Sequence, residues 1–284
     1  MFRDDDRSSL KVKYNISMNI LSKNYNALIV LIAIVVIISS GTLVYLRSAQ
    51  AATVASASGA SVPIPLKDAK LNIEHNATDL DTGFQGFVDS EGWKELTFTG
   101  PKGKVLNISG LGSLAKLGVT ELFFETVEPE NAEVPIADML AKLPAGNYKI
   151  EGPGIENGES TGRTKGIAWL THSIPAGAVL KAPAEGSSVP TSSDLLMKWE
   201  PVTKTIKGKP VKIISYQLIV EKIQNPHPHM IGKVNSLSMY LPPTVTSMRV
   251  PKEFLESGVD YDWEVLAIEE SGNQTLSSGK FSTN

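Results

Sequence analysis

Twenty consecutive residues without a charge, Ala27 to Leu46, constrain the chain more than any other feature, and their core from Ala27 to Ile38 is unbroken apolar sequence. A helix needs about 20 such residues to cross about 30 Å of hydrocarbon, whereas the core of a cleaved signal peptide runs to about 7–15 residues. Arg3, Arg7, Lys11, Lys13 and Lys23 precede the run and only Arg47 closely follows it. Cationic flanks stay in the cytoplasm, so the pattern predicts export of everything beyond. Residues 1–26 read as a cytoplasmic or n-region, with Met18 an alternative start, and 27–46 as a transmembrane helix or signal-peptide core. Ala49-Gln50-Ala51 has the small-x-small form of a cleavage site, and 47–65 is a Ser/Ala/Pro-rich flexible linker. The expected location is membrane-anchored with the C-terminal part outside, or secreted if cleaved after Ala51.

Charge and cysteine narrow the function classes. The chain carries 27 basic and 30 acidic side chains; residues 1–51 hold six basic and three acidic ones, leaving 21 against 27 in the exported part. Nucleic-acid binding needs Lys and Arg gathered on one face, so no nucleic-acid partner is expected. With no cysteine, the exported fold has to rest on core packing alone, which domains above about 100 residues can sustain.

Beyond the linker the pattern is all-β, in two β-sandwich modules at 66–178 and 179–284. In the first, KLNIEH (70–75), WKELTF (93–98), KVLNI (104–108), TELFFETV (120–127), NYKIEG (147–152) and IAWLTH (167–172) have the alternation and β-branched or aromatic content of strands. Ile136, Met139, Leu140 and Leu143 fall at helical spacing between Pro135 and Pro144, predicting one short helix.

In the second, Leu195-x-Met197-x-Trp199, the alternating set Ile214, Tyr216, Leu218 and Val220, Met248-x-Val250, and the set Tyr261, Trp263, Val265 and Ala267 are half-buried strands. Leu255-Glu256-Ser257-Gly258-Val259-Asp260-Tyr261 lies between the last two. Here the chain, over about residues 180–283, resembles the fibronectin type III family, in which a Leu six residues before a Tyr forms the tyrosine corner. Trp199 with Pro201 looks like that family's B-strand signature, and Gly272-Asn273 like its F–G turn. The resemblance implies a sandwich that binds or spaces and has no catalytic centre; without an Arg-Gly-Asp triplet, integrin-type adhesion does not carry over.

Site candidates are sparse. Asp79, Asp81, Asp89 and Glu91 place hard oxygen ligands close together in sequence, which makes them the calcium candidate, set against an Asx turn that needs no ion. His227 and His229 lack the further ligands that zinc requires, and His75 and His172 have no neighbour suited to activating a nucleophile. No serine sits in a nucleophile-elbow or Ser-x-x-Lys context, and no phosphate-cradling glycine loop occurs. Neither catalytic nor cofactor-binding residues are therefore expected, and calcium alone is weighed as a ligand. Trp93 and Trp169 form a candidate sugar-stacking platform, whereas Trp199 and Trp263 belong to the core. Asn76, Asn107 and Asn273 stand in glycosylation sequons. The expected function is non-enzymatic binding or spacing at the cell surface, toward an extracellular protein or glycan. The alternative is an envelope hydrolase or carbohydrate-active accessory protein using residues 66–178.

Overall fold

A computed structural model describes residues 63–225, 227–229 and 235–284. The apolar run 27–46, the alternative start at Met18, the cleavage site at Ala51 and most of the tether lie outside the described residues. Among the described residues no helix is long and apolar enough to cross a membrane. One compact unit spans Ser58–Asn284, and both hydrophobic cores are assembled from residues within it.

The first half contains β1 (Ile64–Pro65), β2 (Asp68–Asn76), β3 (Asp81–Trp93), β4 (Glu95–Gly100), β5 (Gly103–Ser109), α1 (Gly112–Leu117), β6 (Val119–Glu125), α2 (Ile136–Lys142), β7 (Gly146–Glu156) and β8 (Glu159–Leu170). β2, β3 and β6 pair antiparallel on one side. β5, β4, β7 and β8 pair on the other, and β3 reaches β7 through the pair Trp93–Gly154. Between them lie Ile73, Phe84, Val88, Leu96, Phe98, Tyr148 and Ile150, all buried. The apolar face expected of α2 is the one that docks, burying Met139 and Leu140.

The longest strand, β3, is absent from the sequence reading, because DTGFQGFVDSEGW looks like turn chemistry. Its glycines serve close packing instead. A Cβ on Gly86 would stand 2.2 Å from the ring of Phe124, its cross-strand partner, and one on Gly92 would stand 2.2 Å from the carbonyl oxygen of Ile155. A side chain at either position would displace the neighbour, so the glycines mark close approach rather than a break in the strand.

The second half contains β9 (Leu180–Ala182), β10 (Ser187–Val189), β11 (Leu195–Trp199), β12 (Ile213–Lys222), β13 (Ser236–Leu241), β14 (Ser247–Val250), a 3-10 turn (Lys252–Phe254), β15 (Asp260–Glu269) and β16 (Gln274–Thr283). One sheet has the order β14-β11-β9; facing it, β13-β12-β15-β16 run antiparallel, with β10 alongside β16. Met197, Trp199, Tyr216, Leu218, Trp263, Val265 and Phe281 fill the space between. Tyr261 is fully buried and stacked on Phe281 at 4.8 Å, and its hydroxyl accepts the Glu256 N–H at 2.8 Å. That bond is the tyrosine corner the spacing predicts, and this module has the fibronectin type III arrangement. The set assigned to β12 needs one correction: a bulge between Ile213 and Ser215 buries Ile213 and turns Ile214 outward to 45% exposure.

The two cores stay separate, the first drawing on residues up to Ile174 and the second beginning at Ala178. The sheets do not. β2 pairs in parallel with β16 through Glu74–Gln274, His75–Thr275 and Asn76–Leu276, making one hydrogen-bonded path from β1 to β13.

Candidate binding surface at the module junction

The turn between β15 and β16 inserts Asn273 into the junction, where it is completely buried. Its Oδ1 accepts the Ile73 N–H at 2.8 Å. Its Nδ2 faces Thr171 Oγ1 at 2.8 Å, Ser173 O at 3.0 Å and Thr171 O at 3.2 Å. A buried amide needs partners for both of its ends, and here they come from β2 and from the segment after β8, both in the first module. The sequon at Asn273 is therefore closed to glycosylation in the folded chain. Buried Glu269 accepts the Asn273 N–H at 3.3 Å and the Ser271 hydroxyl. Beside this, Gln274 donates to Glu74 and, at 3.1 Å, to Gln85 Oε1.

Trp169 and Trp93 part company. Trp93 is 1% exposed and belongs to the first core, because an irregularity between Asp89 and Trp93 carries it inward, which removes it from any sugar platform. Trp169 is 60% exposed on the outer face of β8, paired with Asn147, and Ile167 beside it is 58% exposed and paired with Lys149. Trp169 also walls a groove of about 280 Å³ across the junction, lined by Lys70, Asn72, Ile214 and Glu270. The outward turn of Ile214 thus places an apolar side chain where the period-two pattern alone would not.

The four calcium candidates are not brought together. Asp81 and Asp89 pair with Asn76 and Asp68 at opposite ends of the β2–β3 ladder, about 27 Å apart at about 3.4 Å per residue. Asp79 accepts from Asn76 Nδ2 at 2.9 Å in an Asx turn, in which Asn76 Oδ1 also accepts the Thr78 and Asp79 N–H groups. Glu91 pairs with Lys67 at 3.1 Å. The carboxylates that do converge are Glu74, Glu125 and Glu128, with oxygens within 4.8 Å of one another; Glu74 comes from β2, whereas Glu125 ends β6 and Glu128 follows it in the next loop, so the local spacing of Glu125 and Glu128 gives no sign of the third carboxylate. Burial, reinforced by the charges of Glu74, Glu125 and Asp81, pushes Glu128 up to about 7.

A carboxyl that binds its proton more tightly in the folded chain than in the unfolded one loses stability as pH rises, here between about 4.5 and about 7. Glu128→Gln is therefore expected to leave the melting temperature of Ser58–Asn284 nearly unchanged at pH 5 and to raise it at pH 8. Because Glu128 is partly solvated, the gain is about 1 kcal/mol or about 2–4 °C, and thermal melts at the two pH values check it.

The histidines take structural places. His75 is buried, its Nδ1 2.9 Å from Asp81 O and 3.0 Å from Thr82 Oγ1, and burial lowers its pKa. His172 Nε2 lies 2.9 Å from Leu143 O, and His227 Nδ1 accepts the His229 N–H at 3.2 Å within its own loop.

No protein-family model matches the chain, nor does any curated protein. Among solved structures, the chain is similar to the fibronectin(III)-like modules of CbhA from Clostridium thermocellum, at 10% identity and a TM-score of 0.30, over 77% of this chain and 93% of that one. It is similar to a two-domain fibronectin type III segment of chicken tenascin at 14% identity and a TM-score of 0.27, over 76% and 98% of the two chains. A single such domain of the human collagen alpha-1(XX) chain matches at 15% identity and a TM-score of 0.26, over 40% of this chain and 85% of that one. At these scores and identities the likenesses carry no weight for function.

Proposed function

We propose that this is an exported, non-enzymatic binding and spacing protein that takes an extracellular glycan against Trp169. The observation that carries the reading is the 60% exposure of that indole beside a groove whose lining mixes amide, ammonium, carboxylate and apolar groups. A sugar ring offers an apolar face for stacking and hydroxyls that both donate and accept. Asn72, Lys70 and Glu270 answer the hydroxyls, and the indole answers the face. The hydrogen-bonded junction holds β8 and the β15–β16 turn in register, so both walls of the groove keep their spacing. Membrane attachment through 27–46, or release after Ala51, places the groove outside the cell.

The hydrolase reading is weaker. Glu74, Glu125 and Glu128 supply converging carboxylates, yet none of them lines the Trp169 groove, and catalysis needs a substrate held within reach of the acid.

Ser58–Asn284 is expected to be retained on polysaccharide isolated from the cell envelope and to mark members of a glycan array. Trp169→Ala should weaken that binding about two- to tenfold, consistent with about 0.5–1.5 kcal/mol for an aromatic contact, while moving the melting temperature by no more than about 1 °C. Equal retention of the two proteins would sink the reading.

A further inference from the structure

The first core is not closed on every side. Among the described residues β5 pairs with β4 alone, and β6 with β3 alone. Between them, under α2, a cavity of about 350 Å³ reaches down to core side chains. Leu71, Phe84 and Phe98, each 3% exposed or less, form its floor. Phe124, edge-on to Phe98 at 5.7 Å, and Met139 and Leu143 from the α2 side form its walls. A bulge at the β4–β5 pairing, where Phe98 faces Leu106 and Thr99 faces Lys104, leaves Val105 unpaired at the mouth and 42% exposed. Bulges of this kind re-aim a side chain next to a site. The one charged group in the lining is Lys142, whose hydrogen-bond partner among the described residues is Met139 Sδ at 3.5 Å.

We propose that this cavity binds the hydrocarbon chain of a single-chain anionic amphiphile, a medium-chain fatty acid being the simplest example, with its head group at Lys142. Pockets of about 300–1,000 Å³ lined mainly by apolar and aromatic side chains and carrying few polar groups are what small ligands occupy. The lining here excludes polar ligands along its length, and an ammonium without a carboxylate partner at the lip selects an anion there. The site opens under α2 and shares Leu71 with the Trp169 groove, whose other walls, Trp169, Lys70, Asn72 and Ile214, are its own; the proposal does not depend on the glycan reading.

The test is calorimetric titration of Ser58–Asn284 with dodecanoate, with dodecanol, and with vesicles of phosphatidylglycerol. Dodecanoate is expected to bind with a Kd on the order of 1–100 µM, tightening about fourfold for each methylene added from octanoate upward until the cavity is full. Lys142→Gln should weaken dodecanoate about tenfold and leave dodecanol unchanged. Val105→Trp, which blocks the mouth from an exposed position and spares the core, should abolish binding of both, with the melting temperature confirming the fold. Binding to vesicles that Val105→Trp also abolishes assigns the acyl chain to a membrane lipid, and dodecanoate binding without vesicle binding assigns it to a free amphiphile. No dodecanoate binding at about 1 mM, or dodecanoate binding untouched by Val105→Trp, overturns the proposal.

Discussion

Asn273→Ala is expected to lower the melting temperature of Ser58–Asn284 by about 10 °C, the largest effect of any single polar substitution at the junction. The alanine leaves the Ile73 N–H, bonded at 2.8 Å in the native fold, without an acceptor, and strips the donor from Thr171 and Ser173. A buried polar group left unpaired costs about 1–3 kcal/mol and each lost hydrogen bond about 1 kcal/mol. The sum is about 3–5 kcal/mol, and about 2–4 °C follows from each kcal/mol in a chain of this size. Asn273→Asp keeps the acceptor for Ile73 but turns an anion toward the two carbonyls and toward Glu269, so it should be at least as damaging at pH 7. Hydrogen exchange locates the damage: the amides of Ile73 and Ala77, bonded across the junction, should lose protection while those of β11 and β14 keep theirs. A melting temperature within 2 °C or so of the parent would mean that the junction contributes little.

Gly152→Ala should be comparable or worse. Gly152 lies in β7 where β4 crosses, and a Cβ built there would stand 1.7 Å from the carbonyl oxygen of Glu95 and 2.7 Å from its carbon. Those are backbone atoms, with no rotamer to move, so β4 and β7 must separate where Thr97, Phe98 and Thr99 pair with Glu151, Ile150 and Lys149. Overpacking and broken pairing together cost on the order of 3–5 kcal/mol. Gly103→Ala is the control: nothing lies within 4 Å of its Cβ, although its φ of 114° is unfavourable for alanine, so its cost should be about 1–2 kcal/mol. Equal melting temperatures for the two variants would refute the crowding at Gly152.

The second module was legible because its information is local. Alternating apolar residues report one buried face, and the Leu255 to Tyr261 spacing reports a bond made five residues back, at Glu256. The first module hid its central strand because the cause of each glycine lies far away in sequence: Phe124 stands against Gly86 and Ile155 against Gly92. The same distance concealed the candidate sites. Glu74 on β2 meets Glu125 and Glu128, which lie at and just beyond the end of β6, and the groove at Trp169 depends on a bulge that turns Ile214 over. Proximity in sequence misled in the opposite sense for Asp81 and Asp89, which an extended strand carries apart, and period-two alternation misled for Trp93, whose indole an irregular register takes inside beside Leu96 and Phe98.

The parallel pairing of β2 with β16 also bears on how the chain is made. Ile73 and Asn273 are 200 residues apart, and at about 5–20 residues per second a ribosome needs about 10–40 s to deliver the second after the first. During that interval β2 presents an open edge to any neighbouring nascent chain, the circumstance in which strands add to the wrong partner. Lys70, charged and exposed on β2, makes that wait less hazardous, and the β15–β16 turn is what closes the edge when it arrives.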